Sequence, residues 1–294
     1  MESSTARAHQ TLPTLTPGVS TGQQTRTPYS DCPLCESTEL VDLRDADASR
    51  HPAWSQGLPA RIDWRGCGNC GHVFTSGYFD GEALTLLQSK SRGGSSTPSE
   101  LATARYSASR IVERVSQLRG SIEGRWLDVA CGSGSVLTTA AEYGYEATGI
   151  DLCEDSVSAL AELGYDARLA DLGTLDEGSR GGGFDIISFD GVLARSPFPG
   201  LDLERARTLL QPGGVVFVSL PNVDTHVWRA MDAKDANPWW SELENYHAFS
   251  REHLYWCLRR AGFQPCHYAI SARFRSGMEV CAWRTEDLLA HEQD

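Results

Sequence analysis

The segment RWLDVACGSGSVLTTAAEYG, residues 125–144, constrains the fold of this chain more than any other. A short apolar run ends in a turn carrying Gly132 and Gly134, and a helical pattern follows that closes at Gly144. A strand that turns sharply into a helix brings bare backbone to the C-terminal edge of a sheet, where a ligand can approach closely. About twenty residues on, ATGIDL ends in Asp151, a position from which a carboxylate reaches ribose hydroxyls. SVSALAELG then reads as a helix, ARLADL as a strand, FDIISFD as a strong strand, LDLERARTLLQPGG as a helix with a turn, and VVFVSLP as a further strand. Strands alternating with helices predict an α/β, doubly wound sheet with parallel central strands. Near the C-terminus REHLYWCLRRAGF reads as a helix, and PCHYAISARF and MEVCAWR as two late strands forming an antiparallel pair. Upstream, Ile111, Val112, Val115 and Leu118 share a helical face closed by Gly120 as C-cap.

Four cysteines precede this region, Cys32 and Cys35 in DCPLCES and Cys67 and Cys70 in RGCGNCGH. Two C-x-x-C pairs supply four thiolates to one tetrahedral Zn²⁺, and four thiolates leave no open coordination position, so the expected metal is structural. His72 is a possible substitute ligand, but four cysteines already complete the site. Nine cysteines in all, an odd number spread along the chain, point to thiols and a metal site instead of a disulfide framework.

The glycine turn is not G-x-G-x-x-G. Asp128 lies inside the strand and Ala130 starts the turn, so LDVACGSG resembles motif I of the class I S-adenosylmethionine-dependent methyltransferases, D-V-G-C-G-x-G. The resemblance covers about residues 121–225. It implies a doubly wound, seven-stranded Rossmann-like methyltransferase sheet behind a small zinc-ribbon-like module. It also implies S-adenosyl-L-methionine as cofactor, held by Asp128, Ala130, Gly132 and Gly134, by Asp151 at the ribose, and by Leu152 against the adenine. Asp171 and Leu172 match the segment that caps the adenine amino group, and Asp190 ends the matching fourth strand. Two departures stand out. Ala130 replaces the usual first glycine, which the site tolerates if its φ is negative. Ala194-Arg195 stands where many relatives have Glu-His, which removes one polar contact there.

The run E-N-Y-H-A-F-S (residues 244–250) is similar to the E-x-x-H-x-F-[ST] signature of many small-molecule methyltransferases. If helical, Glu244 and His247 share a face, and a histidine oriented by a carboxylate can serve as general base. Glu244, Tyr246 and His247 are the candidate catalytic residues. The competing reading makes Glu244 and His247 helix-start residues, with Ser250 as N-cap of the next helix. Trp239 and Trp240 are candidate lid, core or substrate-contact residues. Arg273, Arg275, Met278 and Glu279 form a polar set near the end of the sheet, read as surface. Cys131 and Cys153 are read as small packing residues.

Length and charge set the remaining bounds. The 294 residues allow two domains, and the order reads as a disordered tail (1–28), a zinc-binding module (29–80), linker and lid helices (81–120) and a class I methyltransferase domain (121–294). The net charge of −13 argues against a general nucleic-acid binder. A ribosomal-RNA base methyltransferase is thus the second reading, and a non-catalytic cofactor-binding scaffold the third. The chain lacks the His-Glu-His run of sugar C-methyltransferases, so transfer to oxygen or nitrogen of a small-molecule acceptor is the leading expectation. The N-terminus has no apolar signal region and no stretch reaches the roughly 20 apolar residues of a membrane span, so a cytoplasmic protein without nucleic-acid or membrane partners is expected. Nothing in the sequence bears on oligomeric state.

Overall fold

The computed structural model describes residues 25–80, 83–84, 87, 97–175, 183–271 and 276–285. Arg273, Arg275 and most of the breaker run at 91–100 lie outside them, as does the expected tail up to residue 24. Its last residues are in place. Thr27–Pro28 (β1) pairs with Gly77–Tyr78 (β5). The Arg26 guanidinium donates to the carbonyls of Gly77 and Leu243 (both 3.0 Å) and lies 4.2 Å from the Phe79 ring centroid. Burial lowers its pKa to about 10, so it stays charged, stabilised by those carbonyls and the ring face.

Between these short strands run β2 (Leu40–Asp47), β3 (Arg61–Cys67) and β4 (Val73–Thr75). The larger sheet contains β6 (Arg125–Val129), β7 (Glu146–Asp151), β8 (Asp166–Leu169), β9 (Phe184–Asp190), β10 (Leu210–Pro221), β12 (Phe263–Ile270) and β13 (Gly277–Arg284). Its order is β12-β13-β10-β9-β6-β7-β8. The strands from β8 to β10 are parallel, while β13 runs antiparallel to both its neighbours. This is the seven-stranded Rossmann-like methyltransferase sheet, with the expected late antiparallel pair at one edge.

Alternation along the strands sends side chains to two layers. Trp126, Ile186, Val215, Phe217 and Cys281 face α1 (Pro98–Arg119) and α2 (Ser135–Tyr143), where Ile111, Val112, Val115, Val136 and Ala140 complete one core. Leu127, Ile187, Val216, Val218 and Val280 face the other way, onto Leu203 and Ala206 of α4 (Pro199–Leu209) and Leu254 and Leu258 of α6 (Arg251–Arg260). Each large apolar side chain taken fully out of water contributes about 1.5–3 kcal/mol. The helix over 98–119, expected within a linker and lid, is in its second half a layer of the fold, because its apolar residues face the sheet. It starts inside the breaker run, where Thr97 and Glu100 form a capping box around Pro98. Gly120 is its left-handed C-cap, as the sequence predicts. Among the described residues no helix is long and apolar enough to cross a membrane.

The cysteine segment shares its hydrophobic contacts with the rest of the chain. Its four-stranded sheet, ordered β11-β4-β3-β2, takes an edge strand from β11 (His247–Ala248). Cys32, Leu34, Cys67 and Phe74 join the core around α6. Ile62, Trp64 and Phe79 pack with Trp228, Trp240, Leu243 and Tyr246 in a second core.

Candidate active site

Parallel strands lead from β6 through α2 to β7 on one side, and the chain later returns to place β9 on the other side of β6. The loops after β6 and β9 therefore diverge, and the crevice between them at the carboxyl edge is where open α/β sheets bind ligands. The loop after β6 holds the three left-handed positions Ala130 (φ 51), Gly132 (φ 55) and Gly134 (φ 78). A Cβ placed on Gly132 meets nothing nearer than the Ala130 carbonyl oxygen at 4.0 Å, so this backbone faces open space. At Gly134 a Cβ stands 2.4 Å from Leu160 Cδ2, so this glycine lets the loop seat against α3 (Glu154–Glu162). Gly149 is as tightly placed, with Cys131 Sγ 2.8 Å from a built Cβ; Cys131 is buried there as a packing residue.

Ala130 departs from expectation: its φ is positive, because the first turn position needs the left-handed region whichever residue occupies it. An L-residue there carries a Cβ penalty of roughly 1–2 kcal/mol. Two substitutions should move stability in opposite directions. Ala130→Gly relieves the strain and raises the unfolding free energy by about 0.5–1 kcal/mol, while Gly134→Ala adds strain and the Leu160 clash and lowers it by about 2–4 kcal/mol. Urea denaturation reads both, and a destabilised Ala130→Gly protein refutes the left-handed assignment.

The carboxylates lie along the same edge. Asp151 accepts the Gly132 N–H (2.9 Å) on one oxygen and the Cys153 N–H (2.8 Å) on the other, which ties the end of β7 to the glycine loop. Asp128 is buried beneath the loop and accepts the Ser188 hydroxyl at 2.7 Å, which in turn accepts the Trp126 indole N–H at 2.9 Å. Burial pushes the Asp128 carboxyl up to about 7. Leu152 is 46% exposed, placed to offer an apolar surface to a ring. Asp171 accepts the N–H groups of Gly173 (2.7 Å) and Thr174 (2.8 Å) and so caps its own turn, while Leu172 is buried in the core. Asp190 ends β9 and accepts the Ser219 hydroxyl. The expected cofactor residues thus lie along one edge, with Asp128, Asp151 and Leu172 buried beneath its surface.

The three candidate catalytic residues separate. Residues 247–248 form a strand, so the helical face expected for Glu244 and His247 is absent; pairing with β4 sets their geometry instead. Glu244 stays near the surface in an ion pair with Arg195 (3.2 Å), just beyond β9. Tyr246 is buried, with its hydroxyl accepting the Phe79 N–H at 3.3 Å and its pKa raised by burial to about 12. His247 is also buried: Nε2 is 2.9 Å from the Ser196 carbonyl and Nδ1 3.0 Å from His72 Nε2. Burial lowers its pKa to about 4, partly opposed by the Ser196 carbonyl. Ser250 caps α6 by accepting the His253 N–H, the second reading of this run. Trp240 is core, edge-on to Trp64 at 5.0 Å, while half-buried Trp239 stacks over Trp228 and donates its indole N–H to Ser276. The sequence did not flag the Arg195–Glu244 pair as such, because its partners lie on separate loops.

The four cysteine sulfurs lie within 4.8 Å of one another, with Cys35–Cys67 at 3.5 Å and Cys32–Cys70 at 3.7 Å. A tetrahedral ion with bonds of about 2.3 Å needs sulfurs about 3.8 Å apart, so the cluster fits one ion.

Sheet order, glycine loop and edge carboxylates together define a class I methyltransferase architecture. The chain belongs to the methyltransferase-domain family, whose signature matches residues 101–268. It is 31% identical over 173 residues to a ubiquinone biosynthesis O-methyltransferase of Nitrosococcus oceani, covering 53% of this chain and 72% of that protein. It is 31% identical over 121 residues to the protein of the same name in Bordetella avium, covering 38% of this chain and 48% of that one. The chain therefore spans only about half the length of some of these curated relatives. Among solved structures, 1,6-didemethyltoxoflavin-N1-methyltransferase of Burkholderia thailandensis shares the fold with a TM-score of 0.51 at 19% identity, covering 74% of this chain and 98% of that one. Magnesium protoporphyrin IX methyltransferase from Synechocystis does so with a TM-score of 0.50 at 19% identity, covering 65% and 90%.

Proposed function

We propose that this chain transfers a methyl group from S-adenosylmethionine to an oxygen or nitrogen of a small-molecule acceptor. The observation that carries the reading is the open backbone at Gly132 beside the Asp151 carboxylate, at the point where the sheet reverses its strand order. Bound there, the cofactor supplies an electrophilic methyl group on a sulfonium. Asp151 accepts from the ribose hydroxyls, Leu152 and the Asp171 turn border the adenine, and the 191–196 turn with Glu244 and Trp239 borders the acceptor. Alignment of acceptor and methyl supplies much of the rate, so little acid–base help is required. The O-methyltransferase names of the curated relatives support oxygen as the first atom to test. Calorimetry with S-adenosylmethionine tests the first half of the reading, and a metabolite screen for gain of a labelled methyl tests the second. Cofactor binding with no methyl gain on any metabolite favours the non-catalytic scaffold, and no binding heat at millimolar cofactor counts against both readings.

His247 has a structural role in this reading. Its Nε2 faces a carbonyl and its Nδ1 faces His72, so neither nitrogen offers a lone pair to the cleft. The neutral ring is favoured in the fold, and the unfolded chain protonates first, near 6.5. The stability from neutral His247 is therefore complete above about pH 6.5 and is lost as pH falls towards 4, a change of about 3 kcal/mol. His247→Gln should flatten that acid limb in urea denaturation between pH 4 and 8; an unchanged slope removes His247 from the account.

The ion at Cys32, Cys35, Cys67 and Cys70 is, in this reading, a structural Zn²⁺, since four soft thiolates at tetrahedral spacing suit it and leave no site for water.

A further inference from the structure

Two buried imidazoles run from the cysteine cluster to the turn beyond β9. His72 lies two residues past Cys70, is fully buried, and sits with its ring centroid 5.3 Å from that of His247. The Ser196 carbonyl can only accept, so His247 Nε2 carries the proton and its Nδ1 is a lone pair. His72 Nε2 must then donate to His247 Nδ1, across 3.0 Å. The chain has one direction: metal loop, His72, His247, Ser196. Ser196 follows the 3₁₀ turn Leu193–Arg195, and its hydroxyl donates to Asp202 of α4 at 2.5 Å. The same turn is held a second time by the Tyr246 N–H, which donates to the Ala194 carbonyl at 2.8 Å. A parallel tie joins the metal loop to α6, with His253 Nε2 donating to the Cys70 carbonyl at 2.8 Å.

Simple filling of this space does not call for imidazoles. Desolvating two polar rings is costly unless their hydrogen bonds are made, and His72 Nδ1 has no hydrogen-bond partner among the described residues. What the pair adds over two apolar rings is direction: it fixes one carbonyl, that of Ser196, relative to the metal loop. Arg195, one residue earlier, donates from Nε to the Gly191 carbonyl (2.9 Å) and from Nη1 to Glu244. The turn so fixed carries the ion pair at the crevice.

We infer that His72 and His247 are positioning residues that tie the four-cysteine module to the 191–196 turn, so that the metal sets the geometry of the Arg195–Glu244 side of the crevice. The glycine loop and Asp151 lie outside this chain of contacts. The inference rests on the proposed function only in naming that side the acceptor's; the mechanical link stands without it.

Hydrogen exchange of the full chain, loaded with zinc, tests the link. The amides of Gly191, Arg195 and Ser196 are bonded to carbonyls within or beside the turn and report its opening directly. His72→Phe keeps the ring volume and removes the donor. It should retain one zinc per chain by atomic absorption and wild-type affinity for S-adenosylhomocysteine, yet exchange these amides about tenfold faster, the factor expected for one buried hydrogen bond. His247→Leu should do the same. His247→Gln, whose amide can donate to Ser196 and accept from His72, should exchange at the wild-type rate. Should His72→Phe lose its zinc, the wild-type protein stripped by chelator replaces it, with the same expectation for residues 191–196. Unchanged exchange at the turn in His72→Phe and His247→Leu, or faster exchange confined to residues 67–80, overturns the inference. Failure of the wild-type protein to bind S-adenosylhomocysteine would instead count against the proposed function and leave the link untouched.

Discussion

Replacing Asp151 by alanine should weaken binding of S-adenosylhomocysteine by about 10²–10³-fold, measured by calorimetry. The carboxylate does two things at once. It holds the Gly132 and Cys153 N–H groups, and so fixes the loop on which the ligand would lie. In the proposed reading it also accepts from two ribose hydroxyls at the end of β7, beside the open backbone of Gly132. Hydrogen bonds to a charged group contribute about 1.5–3 kcal/mol each, and two of them convert to the stated factor with some offset from water that replaces them. Asp151→Asn separates the two roles. The amide oxygen can still accept one backbone N–H, but its nitrogen cannot accept at all, so binding should fall between wild type and Asp151→Ala. An affinity within threefold of wild type in a folded Asp151→Ala protein would remove this residue as the ribose anchor, and with it the proposed donor.

Much of this site can be read from the sequence because its determinants are local. The apolar run at 126–129, the glycines at 132 and 134 and the carboxylate at 151 belong to one strand–turn–helix–strand unit, and the spacing within that unit is fixed by the sheet. The late antiparallel pair and the Ser250 cap are legible for the same reason. What could not be read depends on partners distant in sequence. Glu244 and His247 are three apart, a helical spacing, but β4 recruits residues 247–248 into its own sheet and turns His247 towards His72. Arg26 belongs to a polar stretch without aromatic residues, and partners distant in sequence, the Phe79 ring and the Gly77 and Leu243 carbonyls, make its burial tolerable. Ala130 shows a third limit. Its left-handed backbone is dictated by the turn, and alanine leaves no trace of that demand in the sequence as glycine would.

Removing the proposed zinc should have the largest effect on stability. Cys32 is fully buried and Cys67 nearly so, yet the segment around them has little apolar core of its own: most of β2 faces solvent, with Val41 and Leu43 more than half exposed. Much of what this segment buries, it buries against the rest of the chain, with Trp64 against Trp240 and Phe74 and Leu34 in the core of α6. Isolated zinc modules gain about 10–16 kcal/mol of apparent folding free energy from the ion, and the contacts here retain only part of that when it leaves. A loss of even 3 kcal/mol lowers the melting temperature of a unit this size by about 12–24 °C. Chelation, or Cys67→Ser, should therefore split the calorimetric transition in two. The early step should carry the fluorescence of the Trp64–Trp240 contact. The late step, from the seven-stranded sheet, should fall below the wild-type temperature, because Leu34 and Phe74 leave the core of α6, yet keep its response to S-adenosylhomocysteine. Adding zinc back to the chelated wild-type protein should restore a single transition, and Cys67→Ser should not respond. A single unshifted transition in Cys67→Ser protein, with no zinc found in the wild type, would show that the four thiols fold the segment without an ion.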